Sequence, residues 1–230
     1  MLTLLKRPLL LAGLGLSFAL AGCPSEGTVE PVQPRYEPGF GPSKEHPVGT
    51  PFTWPAGITL IGEPADDNRD CVQDALDQRH FLGVGGMVSV CLNLYNSTSQ
   101  PINVVFPPGL VVVSQSERAQ NGFVATRTSF EVPPGQHFFR LHTNCANGGT
   151  RQPSGGYRYE AQLLVTQHPG MQELLNLLAA KKINFEEYGG QDSPVAAAAA
   201  GPVGSAVGQV AFDKEISEQV RRELAALPPR

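Results

Sequence analysis

The chain has 230 residues, with 17 basic and 21 acidic side chains and four cysteines, long enough for one good-sized domain plus tails. A net charge of −4 without a basic stripe gives nothing to displace counterions from phosphates, so nucleic acid is not an expected partner, nor is electrostatic docking on anionic lipid. No Gly-x-Ser-x-Gly elbow and no phosphate-binding glycine loop occurs.

Residues 1–22 have the parts of a secretory signal: Lys6 and Arg7, an apolar stretch from Leu9 to Leu20, then small residues for cleavage. The uncharged run from Pro8 to Gly22 is 15 residues, shorter than the ~20 a spanning helix needs. Leu20-Ala21-Gly22-Cys23 resembles the lipobox of bacterial lipoproteins. The resemblance implies cleavage before Cys23, a diacylglycerol on its thiol, acylation of the new amino group, and attachment to a membrane in the cell envelope. Acyl chains contribute ~0.8 kcal/mol per buried methylene, so two or three hold a protein firmly. Pro24 and Ser25 supply no aspartate of the kind that marks inner-membrane retention in some bacteria, which points to the outer membrane. Without residues 1–22 the chain keeps 208 residues, 15 basic and 21 acidic.

Residues 23–55 hold eight prolines and no period of 2 or 3.6. Such a tether favours polyproline II at ~3.1 Å per residue and reaches on the order of 100 Å when extended. Part of it, around Phe52 and Trp54, is also suited to packing on the body.

The body spans 56–182. Residues 58–61 read as a short strand, and Val72, Ala75, Leu76 and Arg79 give helical spacing over 70–80. Val88, Val90, Leu92 and Leu94 then alternate with Ser89, Cys91, Asn93 and Tyr95, a strand with one core face. Strands follow at 102–106, 110–113, 123–132, 137–143 and 157–165, with Pro-Pro-Gly corners ending at Gly109 and Gly135 that suit type II turns. The pattern predicts an antiparallel β-sandwich, mainly β with C-terminal α-helices, α+β overall. Its alternation of strands and Pro-Pro-Gly corners loosely resembles immunoglobulin-like modules of bacterial surface proteins, which implies an Ig-like sandwich. With Cys23 acylated, an odd set remains, so one disulfide and one buried thiol are expected. Cys71 at an element start and Cys145 in a loop form the preferred pair; the two pairings through Cys91 and a reduced state stay open.

Residues 169–182 form a helix with Met171, Leu174, Leu175 and Leu178 on one face, widened by Leu177, which caps an end or edge of the sandwich. Residues 183–212 are a Gly/Ala-rich joint. Its uncharged stretch 195–212 is too weakly apolar to span a membrane and suits a helix or flexible joint on the body. Over 213–230, Ile216, Val220 and Leu224 continue a four-residue repeat from Phe212, an amphipathic helix with Glu218 and Arg222 as an i,i+4 pair. Its stripe needs burial by its own domain or by a partner.

Candidate chemistry is sparse. His46, His80, His137, His142 and His168 read as surface histidines, and His137 and His142, five apart on one strand, face opposite ways. Asp66, Asn68, Asp70, Asp74 and Asp77 occupy positions 1, 3, 5, 9 and 12 of a calcium loop, but Cys71 replaces its glycine and Asp77 its bidentate glutamate. An acidic first helical turn is the better reading, with no metal or cofactor expected. The polar loop 144–156, with Arg151 in it and Tyr157 and Tyr159 following, is a candidate binding loop or a disulfide-tied connection. The expected function is a non-catalytic, lipid-anchored module that binds another envelope protein through a sheet edge, this loop or the last helix. The alternative is a ligand- or metal-binding lipoprotein, including an envelope enzyme.

Overall fold

Two apolar runs organise the fold because they do not alternate. Leu110 to Val113 and Phe123 to Ala125 are buried at every position, so the strands they form need apolar neighbours on both faces. The computed structural model describes residues 36–66, 68–148, 151–152, 155–190 and 193–230, and shows both neighbours. Its strands are β1 (Gly49–Pro51), β2 (Ile58–Leu60), β3 (Phe81–Gly83), β4 (Val88–Asn96), β5 (Ile102–Phe106), β6 (Leu110–Val112), β7 (Gly122–Val124), β8 (Thr128–Val132), β9 (Gly135–Cys145) and β10 (Leu164–Thr166). The helices are α1 (Arg69–Gln78), α2 (Pro169–Leu178), α3 (Pro194–Ala211) and α4 (Glu218–Ala225), with a 3-10 turn over Phe185–Tyr188. The protein is mainly β, with antiparallel sheets and a few helices.

Seven strands lie antiparallel in the order β1-β10-β6-β7-β9-β4-β2, β3 adds parallel to β9, and β5 pairs with β8. The long β9 joins the two halves: residues 135–143 pair with β4, and Asn144 and Cys145 with β7. One core gathers Val88, Val90, Leu92 and Leu94 of β4, Leu110 and Val112 of β6, and Phe130 and Val132 of β8. The opposite face of β6 and β7, through Val111 and Phe123, meets a second core built from α2, α3 and α4. The first proline corner closes as a type II turn, with Leu110 N–H donating to Pro107 O and Gly109 at φ +87°.

The helices therefore cover a sheet face instead of capping one end. Met171, Leu174 and Leu178 of α2 are fully buried, each burial stabilising by about 1.5–3 kcal/mol. The joint expected at 183–212 contains α3, an 18-residue helix capped by Ser193, whose Ala199, Val203 and Val207 lie in the second core. Among the described residues, no helix is long and apolar enough to cross a membrane. Val220 and Leu224 of α4 are buried there too, so its stripe serves its own domain. Arg221, not Arg222, makes the ion pair, with Glu173 of α2, and Lys181 Nζ donates to Ala225 O and Leu227 O at the end of α4. The described part of the expected tether also belongs to the body. Phe40 is buried, β1 pairs with β10, and Phe52 and Trp54 pack beside Phe106.

The expected Cys71–Cys145 bridge is corrected to Cys71–Cys91, with Cα atoms 6.2 Å apart and Cys145 free. The reason is the pleat. Cys91 is in phase with Ser89 and Asn93, so it faces away from the core of β4, onto the side where α1 packs with Cys71 and Ala75 fully buried. Cys145 packs against the inner core. Burial pushes its thiol up to about 11. Peptide mapping without reduction is expected to yield a Cys71–Cys91 cross-linked peptide and an unlinked Cys145 peptide; a peptide joining Cys71 to Cys145 would contradict the fold.

Candidate functional site

The described residues of the sequence-predicted loop are fastened down. Arg151 donates to Gly148 O at 3.1 Å and to Ser43 O at 2.9 Å. Tyr157 places its hydroxyl on Gln152 Oε1 at 3.1 Å, and Tyr159 is fully buried in the inner core. Asp66 completes the fastening, its carboxylate accepting from the backbone N–H groups of Gly155, Gly156 and Tyr157 at 2.8–2.9 Å. Arg151 and Tyr157 are thus engaged in holding the loop, and Tyr159 stands in the inner core. Cys23 and the signal lie outside the described residues. The calcium-loop residues also separate into local tasks: Asp66 holds the loop, Asn68 caps α1 by accepting from Cys71 N–H, and Asp77 accepts from Gln73. Among the described residues, no three His, Cys, Asp or Glu side chains converge as a metal site would need.

The residues that do converge lie on the outer face of β9. Alternation along that strand turns Phe139 and Leu141 inward and Arg140 and His142 outward. They floor a groove of about 530 Å³ walled by Val72 and Leu76 of α1, Phe81 of β3, Phe185, and Ser193, Pro194 and Ala197 at the start of α3. That volume is in the range of small-molecule sites, ~300–1,000 Å³. The α1 wall is held beside the floor by the disulfide, since Cys91 stands directly opposite Arg140 across the β4–β9 ladder.

A polar network sets Phe185 in place. Buried Asn184 accepts from Thr126 Oγ1 and donates to Arg127 O and Glu186 Oε1. Glu186 Oε2 accepts from Gly83 N–H at 2.8 Å, tying the turn to the edge of β3. Burial pushes the Glu186 carboxyl up to about 7, against the hydrogen bonds that favour its charged form. Phe185 then lies 4.9 Å from the His142 ring, centroid to centroid, with Phe81 at 5.4 Å.

His142 is consequently not a surface histidine. Burial, reinforced by the Arg140 charge, pulls it down to about 4, so it is neutral at pH 7. Its Nδ1 is 3.0 Å from the hydroxyl of Ser89, its direct cross-strand partner. Arg140 is half-buried, and burial lowers it while the Asp66 charge opposes; a guanidinium nonetheless stays protonated. Among the described residues its side chain makes no hydrogen bond or ion pair. Of the described residues lining the groove it alone is charged at neutral pH. The sequence signal for this site was the Arg140-x-His142 spacing on a strand.

The other histidines are locally satisfied. His46 pairs with Glu160 at 3.0 Å, His80 with Phe138 O, and His137 with Pro134 O, while His168 caps α2. A second concavity, about 520 Å³, lies along Ala200, Gly201, Gly204 and Gly208 of α3 with Met87 and Cys145, and none of the described residues lining it is charged. Comparison of the chain with family models, curated proteins and solved structures finds no match.

Glu186 and His142 give stability opposing pH dependences. Between pH 4.5 and 7 the folded Glu186 holds a proton that the unfolded chain releases, so stability falls as pH rises. Between pH 4 and 6.5 the unfolded His142 holds a proton that the folded ring does not, so stability rises with pH. Each effect is on the order of 3 kcal/mol, and the two largely cancel in their common window. Glu186→Gln is expected to leave the His142 slope exposed, with urea-unfolding stability climbing from pH 4 to 6.5; an unchanged pH profile would contradict the assignment.

Proposed function

We propose that the protein is a non-catalytic, lipid-anchored binding protein of the bacterial cell envelope that offers the Arg140 groove to an anionic, largely apolar group. The observation that carries this reading is the half-buried guanidinium without a partner among the described residues, in a groove otherwise lined by apolar and neutral side chains. A half-buried guanidinium without a hydrogen-bonding partner has lost part of its hydration, and an anion entering the groove offsets that loss. Lipid anchoring through Cys23 is supported by the Leu20-Ala21-Gly22-Cys23 match, and outer-membrane placement by the absence of aspartate at positions 24 and 25. The antiparallel scaffold, whether or not it shares the immunoglobulin-like topology, supports the reading by holding Arg140 and His142 on a rigid strand.

A non-catalytic role is supported by the state of the two best nucleophile candidates. Ser89 meets a histidine that burial makes a weak base and that two phenylalanines enclose, and the Cys145 thiol is held up at about 11, far from a reactive thiolate. Docking through the terminal helix loses its motivation, because the α4 stripe is buried.

Two measurements test the proposal. Cys23→Ser is expected to abolish incorporation of labelled palmitate and release the protein from the acylated membrane fraction; retained labelling would contradict the anchor. For the groove, the full-length protein is purified from its own membranes, extracted with solvent, and the extract is analysed by mass spectrometry. Near-stoichiometric recovery of one anionic species, lost in Ala197→Trp, which fills the groove, is the expected outcome. An extract identical for both proteins would contradict binding there.

A further inference from the structure

We infer that the groove's ligand is a single-headed carboxylate with an aliphatic body, the class of free medium- to long-chain fatty acids, with Arg140 holding the head. The assignment rests on the groove being a binding site and adds what the site selects.

Charge is the first argument. One of the described lining residues is cationic, and His142 beside it is neutral, so these residues match one negative charge and not two. The planar guanidinium presents paired N–H donors in the geometry of a carboxylate. If the Ser89 hydroxyl donates to Nδ1, His142 retains its proton on Nε2 as a further neutral donor. A phosphate monoester carries close to two charges at pH 7 and would leave one unmatched in apolar surroundings.

The walls are the second argument. Val72, Leu76, Phe81, Phe185, Pro194 and Ala197 surround the floor with hydrocarbon. A bound peptide would bring backbone N–H and C=O groups that need partners. On the β3 edge, Phe81 N–H already donates to Gly190 O and Gly83 N–H to Glu186, so neither is free for a peptide carbonyl. An alkyl chain asks for no hydrogen bonds. Each added pair of methylenes is expected to tighten binding about tenfold until the groove is full.

The test uses the full chain in phospholipid nanodiscs and a dodecanoate carrying a diazirine at its methyl end, photolysed and mapped by mass spectrometry. Label is expected on peptides containing Val72, Leu76, Phe81 or Phe185, and unlabelled dodecanoate should compete better than decanoate, and decanoate better than octanoate. Arg140→Met is expected to lower labelling at least tenfold, and Ala197→Trp to lower it with Arg140 intact, so that a folding defect in one variant does not decide the outcome. Labelling spread over the surface and unchanged in both variants would overturn the inference. So would equal competition by dodecanol, which shows the carboxylate to be irrelevant, or stronger competition by dodecyl phosphate or by an apolar peptide. If the solvent extract still contains a groove-dependent anion of another class, the binding reading stands and only the carboxylate assignment falls.

Discussion

Burial of β6 and β7 on both faces is the constraint from which most of the molecule follows. Strands such as Leu110–Val112 expose no polar face, so the side of their sheet away from the inner core must be covered. The chain covers it with everything after Thr166: Met171 and Leu174 from α2, Val203 and Val207 from α3, Val220 and Leu224 from α4. The last helix is thereby committed to the core. The same demand explains α3, which Gly201, Gly204, Gly208 and the internal Pro202 weaken as an isolated helix, while its small alanines and glycines allow close approach to the sheet. Its stability comes from the packed face and from the Ser193 cap.

The groove is a by-product of how the helical layer meets the other half of the sheet. β9 carries both halves, and its outward Arg140 and His142 fall where α1, the 3-10 turn and the start of α3 meet. Three separate devices hold the walls: the Cys71–Cys91 bridge for α1, the Asn184–Glu186 network for Phe185, and the serine cap for α3. The groove differs from the second concavity in being braced on three sides around a charge that has no partner among the described residues, and the proposed function rests on that difference.

Much of this was legible in the sequence, for stated reasons. The alternation from Val88 to Tyr95, the proline corners and the Met171-Leu174-Leu178 face report local periodicity, and each corresponds to an element of the fold. The short strands β1 and β3 carry too few residues for a period, and β1 contains a proline, so tertiary pairing alone defines them. The Cys71–Cys91 bridge follows from the pleat phase of Cys91, which its place in a strand does not reveal without knowing which face α1 covers. The groove is hidden for a related reason: the same-face neighbour of His142 is Arg140, two residues away, and not the other histidine of the strand, His137. What encloses them, Phe81 and Phe185, lies 61 and 43 residues from His142 in sequence, and no local pattern announces it.

The most direct measurement is a high-resolution crystal structure of the full-length protein purified from its own membranes. Density for an anionic head within hydrogen-bonding distance of the Arg140 guanidinium, with an apolar body running between Phe81 and Phe185, is the result this account predicts. A guanidinium paired instead with a carboxylate of its own chain, and a groove closed by its own side chains, would contradict it.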